Sequence, residues 1–336
     1  MLDLIKRLCE IDSAPGNEWA TREFIIEQIK DFCEYRVDAL GNIIAFKKGE
    51  IAPKKRILLD AHTDEVAIIV SSITPDGFLK FHTVGGIKTG TLLARRVNFE
   101  NGVSGVIGAK PVHLMSDDEA KKLPDTDKLF IDIGSTSRKN AEELISVGDF
   151  GVLEGEFILC GDNMLSKALD DRVGCAVLIK LIQDTSKYDF YATFTVQEEL
   201  GCRGAKTATF AIKPDFAIVL EGTTAADIEG IPFEKSVCSL GGGVAVSFMD
   251  NGTMYDRSLY NAAINSGIPA QTKRAVAGAN NSAAIHLSGE GVRTIALSVP
   301  CRYIHSPSSV ANIKDAESSL LLAKHLIELI GGDKID

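Results

Sequence analysis

Four short apolar runs constrain the fold of this chain more than any other feature: ILLD (57–60), FYATFTV (190–196), FAIVL (216–220) and TIALSV (294–299). Each has strand length and is apolar at consecutive positions, so both of its faces must be covered. Helical spacing recurs between them, at 171–184, 202–211, 255–266, from 282 to 287, and at 313–330. A helix is also expected from Asn17 to Phe32, with Asn17 as its cap. Such alternation predicts an α/β fold with a mixed, largely parallel sheet and helices on both faces.

The texture changes between 67 and 156. Short β-rich segments (67–73, 77–83, 96–100, 102–108, 129–133, 150–153) are separated by turns such as Pro75-Asp76-Gly77 and Asn101-Gly102. Few helical patterns interrupt them, the clearest short one at 117–123. A small β-barrel at 67–156 is therefore expected, set into a larger domain made of 1–66 and 157–336. At 336 residues the chain exceeds one comfortable core, which also favours two domains. A hairpin is expected at 36–46, turning at Leu40-Gly41-Asn42.

Charge and cysteine usage exclude several classes of function. A net charge of −10 argues against nucleic-acid or anionic-membrane partners. No apolar run approaches the length of about 18 residues that spans a bilayer, and the first ten residues read as a charged amphipathic helix rather than a signal peptide. The seven cysteines are scattered and form no CxxC, which fits reduced thiols and a cytoplasmic location. Gly241-Gly242-Gly243 lacks the Lys-Ser/Thr of a phosphate loop and reads as a tight turn.

Five clusters put acids or histidines at element ends: His62/Asp64, Asp170-Asp171, Glu198-Glu199, Glu221 and His305. Each has an ordinary alternative. Asp170-Asp171 could cap a helix, Glu198-Glu199 could be a solvated edge, and His305 could be a loop histidine. Yet three of the five directly follow apolar strands and a fourth follows 294–299 after a short tail. In a parallel sheet those ends converge on one edge. Two histidines with several carboxylates form a nitrogen and oxygen donor set suited to Zn²⁺, Co²⁺ or Mn²⁺. In an extended segment Glu198 and Glu199 point opposite ways, so one can bind metal while the other moves a proton.

AHTDEV, ALDDRVG, QEELGCRGA and RYIHSP, in this order, resemble the M42 family of metallo-aminopeptidases, the glutamyl aminopeptidase and TET group. The resemblance covers nearly the whole chain. It implies a zinc-peptidase-like core, a PDZ-like inserted barrel serving oligomerisation or substrate access, and two divalent ions per subunit (zinc or cobalt, with manganese as a further choice). Asp170 would bridge the ions, His62 and Glu221 would complete one site, and Glu199 and His305 the other. Asp64 would orient His62, and the Asp170-Asp171 peptide bond would be cis. The implied reaction removes the N-terminal residue of a peptide through a metal-bridging water activated by Glu198. Dimers assembling into a tetrahedral dodecamer are implied as well. The segment Gly278–Ser282 departs from the Gly-Thr-Asp-Ala-like pattern of the family, and Glu221 occupies a position that takes Asp or Glu.

Two other functions compete. A related di-metal amidohydrolase, a deacylase or carboxypeptidase, would tolerate a blocked N-terminus. A non-catalytic scaffold of the same fold would not bind metal. Lys88, Arg95 and Arg302 could favour acidic substrate side chains or equally serve as interface charges, with neutral aliphatic residues the expected preference, whereas His82, His113 and His325 read as ordinary surface or core residues. His286 is a candidate for supporting the site.

Overall fold

A computed structural model describes residues 1–335. Its strands begin with β1 (Glu34–Val37), β2 (Ile43–Lys47) and β3 (Ile57–His62). There follow β4 (Ala67–Ile73), β5 (Leu79–Val84), β6 (Arg96–Phe99), β7 (Ser104–Gly108), β8 (Phe130–Asp132) and β9 (Phe150–Leu153). The chain continues through β10 (Ile158–Cys160), β11 (Asn163–Ser166), β12 (Phe190–Thr195) and β13 (Phe216–Thr224). It ends with β14 (Val244–Val246), β15 (Ala270–Thr272), β16 (Arg293–Arg302) and β17 (Ser309–Asn312).

Among the described residues, eleven strands make one sheet along the path β1-β2-β12-β3-β13-β16-β17-β11-β10, with β14 and β15 joined at β16. The centre, β12-β3-β13-β16, is parallel, and both flanks are antiparallel. The four apolar runs supply these central strands. Alternation along β3 explains why all six of its residues are buried. Ile57, Leu59 and Ala61 pack with the helices Leu169–Gln183 and Ile313–Gly331. Leu58 packs on the other face with Ala205, Ala208 and Ile285. Burying each such Leu or Ile contributes roughly 1.5–3 kcal/mol. Asp60 and His62 share the Leu58 face by the two-residue period.

β4-β5-β8-β7-β6-β9 close a six-stranded antiparallel barrel with its own core, including Ile68, Leu79, Phe81, Val97 and Ile131. The barrel leaves the sheet just after His62 and returns at β10. A buried ion cluster sits at that junction. Glu65 Oε1 accepts from Ser13 N (3.2 Å), Lys167 Nζ (2.7 Å) and Arg172 Nη2 (3.3 Å). Arg172 is completely buried and also donates to Thr63 O.

Several local expectations shift. The second helix is Trp19–Ile29 with Glu18 at its N-cap, because Asn17 Nδ2 instead donates to Glu100 Oε2 of the barrel side. The 117–123 helix shortens to Asp117–Ala120, closed by a Ser116/Glu119 capping box. The hairpin forms with Gly41 at φ +105°. The glycine triplet is a turn whose Gly241 and Gly243 amides donate to Asp315. Strands β10, β11, β15 and β17 carry no clear sequence signal; they are three or four residues long.

Candidate active site

β3 delivers His62 at the carboxyl edge of the parallel strands, 1 % exposed. Its Nε2 lies 3.3 Å from Asp170 Oδ1 and 3.4 Å from Glu221 Oε1. Nδ1 lies 3.4 Å from Asp64 Oδ1, which is ion-pair distance without hydrogen-bond geometry. Asp64 bonds more closely elsewhere. Its two oxygens accept the amides of Glu198 and Glu199, each at 3.0 Å.

Asp170 stands at the start of the helix Leu169–Gln183, where φ and ψ are still non-helical and the Asp170-Asp171 bond is cis. Asp171 points away from the cluster and accepts from His62 N and Gly174 N. Gly174 is required there, because a Cβ would stand 2.4 Å from the Asp171 carboxylate. The second Asp170 oxygen lies 3.5 Å from His305 Nε2, which in turn is 3.3 Å from Glu199 Oε1. His305 Nδ1 lies 3.2 Å from Gly86 O, in the loop after β5. The barrel side thus reaches the site, and only the Gly85-Gly86 pair, a sign of close backbone approach, hints at this in the sequence.

Two donor groups share Asp170: His62, Asp170 and Glu221, and Asp170, Glu199 and His305, with ligand atoms inside each group within 4.8 Å. Burial pushes Glu198 up to about 7 and Glu199 to about 8, with the Asp170 charge adding to both. Glu221 is raised well above the carboxylate range, first by burial and then by Asp170. Burial opposes charge on the imidazoles. At His305 the bond to Asp170 and the charge of Glu199 outweigh it, pushing the ring up to about 9. His62 is raised strongly as Glu221, Asp170 and Asp64 together outweigh its burial. Asp170 is held low despite its burial, because His305 and His62 donate to it.

These residues fit a divalent cation. Glu221 Oε2 and His62 Nδ1 are buried with no hydrogen-bond partner. Among the described residues, no Lys or Arg pairs with Asp170, Glu198, Glu199 or Glu221. Crowded buried carboxylates without a counter-cation are costly, and a metal ion supplies the missing charge.

Other sequence candidates fall outside the cluster. Arg302 is occupied by a two-pronged pair with Asp227 (2.8 and 2.9 Å). His286 Nδ1 lies 2.7 Å from its own helix, at Ser282 O; His82 and His113 are exposed. In the divergent Gly278–Ser282 segment, Asn281 Nδ2 donates to Asp60 Oδ2 of β3 (2.7 Å) and Thr195 Oγ1 of β12 (2.8 Å). A roomier cavity of about 730 Å³ lies at the opposite edge of the sheet, near Lys213, Phe216 and Arg293. Volume there is not matched by convergent chemistry.

An imidazole and carboxylate cluster without thiolates, at the carboxyl edge of a parallel sheet, defines a metal-dependent hydrolase. A sequence profile of the M42 glutamyl aminopeptidase family matches residues 41–322. A putative aminopeptidase of Acetivibrio thermocellus is 40% identical, with 98% of each chain covered. Among solved structures, a TET aminopeptidase from a marine sediment Thaumarchaeota archaeon superimposes with a TM-score of 0.93 at 34% identity, covering 98% of both chains. A Pyrococcus horikoshii TET1 peptidase, which can assemble into a tetrahedron or a large octahedral shell, gives 0.84 at 33% identity, covering 97% of this chain and 98% of that one. The chain belongs to the M42 glutamyl aminopeptidase family and is an aminopeptidase, a hydrolase of peptide bonds.

Proposed function

We propose that this aminopeptidase removes N-terminal residues with two divalent ions, zinc or cobalt by preference and manganese as a further choice, which Asp170 would hold in common. His62 and Glu221 would complete one site, and Glu199 and His305 the other. The observation that carries this is the position of Asp170, with one oxygen 3.3 Å from His62 Nε2 and the other 3.5 Å from His305 Nε2. When bound, such ions polarise the scissile carbonyl and acidify water. Glu198, beside the cluster and pushed up to about 7, takes the proton from the attacking water and returns it to the leaving amine nitrogen. Asp64 fixes the backbone of both glutamates and stands against His62 Nδ1.

Residues 67–156 act as an inserted domain for assembly or access, and 1–66 with 157–336 as the peptidase domain. The separate hydrophobic cores support that division. Homo-oligomers built from dimers, up to a tetrahedral dodecamer, are part of the same proposal, by likeness to the TET1 peptidase. A cytoplasmic setting agrees with the seven free cysteines. Among the described residues no helix is long and apolar enough to cross a membrane.

A panel of aminoacyl-p-nitroanilides, free and N-acetylated, tests the reaction with and without chelator and re-added Zn²⁺ or Co²⁺. Cleavage should require metal and a free α-amine. Metal-dependent chromophore release from the acetylated series at an equal rate would favour a related di-metal amidohydrolase that does not read the free α-amine.

A further inference from the structure

Four consecutive amides lead into the two glutamates, and each ends on a side-chain oxygen from a distant part of the chain. Val196 N donates to Asn42 Oδ1 (3.0 Å) and Gln197 N to Glu18 Oε1 (3.1 Å). Glu198 N and Glu199 N donate to the two oxygens of Asp64. Beyond β12 the chain has left the sheet ladder, so these side chains replace the missing backbone partners. The turn is also strained. Gln197 and Cys202, on either side of the glutamates, both hold φ +55°. A left-handed non-glycine residue is strained and persists only where its surroundings over-determine it.

Glu18 is built for that task. It is 5 % exposed, and its Oε1 also accepts Gly16 N at 2.7 Å, which fixes the carboxylate against the N-terminal segment. Asn42, fully buried, is tied through Nδ2 to Asp38, Gly204 O and Thr207. Asn42 therefore anchors the turn to the following helix, whereas Glu18 takes the amide of the left-handed residue, whose carbonyl accepts Arg203 N (3.3 Å).

We propose that Glu18 is a positioning residue for the Glu198–Glu199 pair. Its Oε1 holds the Gln197 amide in the left-handed turn that aims one carboxylate at the reacting water and the other at the metal cluster. This rests on the roles given above to Glu198 and Glu199. Glu18 touches neither substrate nor metal donor and acts through the Gln197 backbone. What it supplies is an acceptor at a fixed point, not a charge.

The test compares Glu18→Ala, Glu18→Gln and Glu18→Asp for kcat and KM on an aminoacyl-p-nitroanilide that the wild type cleaves. Zn²⁺ affinity of the chelator-stripped proteins is measured beside them by calorimetry. Glu18→Ala should lose about 10–100-fold in kcat and a similar factor in Zn²⁺ affinity, as expected when a supporting partner is removed. KM should stay within about twofold, since ground-state binding is untouched. Glu18→Gln keeps the oxygen and should restore both quantities. Glu18→Asp keeps the charge but withdraws the oxygen, and should remain impaired; this pair decides the matter should the alanine variant fail to fold. Normal kcat and affinity in Glu18→Ala, or an active Glu18→Asp beside an impaired Glu18→Gln, would overturn the proposal. A wild type indifferent to chelation would remove the functional reading and the proposal with it. A chelator-sensitive wild type beside a normal Glu18→Ala removes the proposal alone.

Discussion

At the scale of residues, adjacent side chains divide the labour. Glu198 and Glu199 share a backbone held by one aspartate, yet only Glu199 stands against His305. Glu198→Gln should therefore bind metal as the wild type does while kcat falls by about 10²–10⁴, the usual size of a general-base contribution. Metal content and kcat measured on one preparation check this; a rate near wild type would remove Glu198 from its role. The metal-free donors also hold protons. His305 is pushed up to about 9 by Asp170 and Glu199, so the metal-free imidazole is largely protonated at neutral pH and must shed its proton to coordinate. Zn²⁺ binding should release protons and weaken as the pH falls from about 8 towards 6, as the protonated donors compete with the ion. Calorimetry in buffers of different ionisation enthalpy reads the release. Equal affinity across that range would count against these donors.

Elements bring the clusters together through backbone geometry that composition does not announce. The helix Leu169–Gln183 is entered through Ala168 at φ +53° and the non-helical Asp170 and Asp171, so that Asp170 turns to the cluster and Asp171 to the His62 amide. Gly174→Ala would gain about 1 kcal/mol of helix propensity. Its new Cβ, 2.4 Å from the Asp171 carboxylate, should cost about 1–3 kcal/mol by overpacking and loosen the His62 strand end. Net loss in urea denaturation, with weaker metal binding, is expected; a more stable variant would show that the contact yields freely. The junction beneath is electrostatic. Glu65→Gln leaves Lys167 and the fully buried Arg172 without their shared carboxylate, although Asp12 still reaches Lys167 at 3.0 Å. A loss of about 3–5 kcal/mol follows, because an uncompensated buried charge costs more than the pair contributes.

For the whole molecule, metal should act as a ligand of the folded state alone, since the donors lie far apart in sequence and meet only on folding. Stabilisation of about 2.7 kcal/mol at a hundredfold excess over Kd is expected, read as a rise in Tm on adding Zn²⁺ to stripped protein. An unchanged Tm would mean that the cluster does not bind. The sequence by itself determined the four central strands, the longer helices between them, the barrel inserted after β3 and the five clusters, because buried strands and element ends leave local, periodic signals. The choice of His62, Asp170, Glu199, Glu221 and His305 within those clusters came from the family resemblance, and the structure brings their donor atoms together. The tertiary structure decided what local signals do not carry. Asn17 was drawn to Glu100 and the cap fell to Glu18, Arg302 was taken by Asp227, and Asn281 of the divergent segment was tied to Asp60 of β3. Gly86 was brought to His305 from 219 residues away in sequence, and Glu18 to the Gln197 amide from 179. A strand's period reports which face a side chain occupies, but not which distant oxygen waits there; that is set by how the sheet orders its strands and by what is left unpaired where they end.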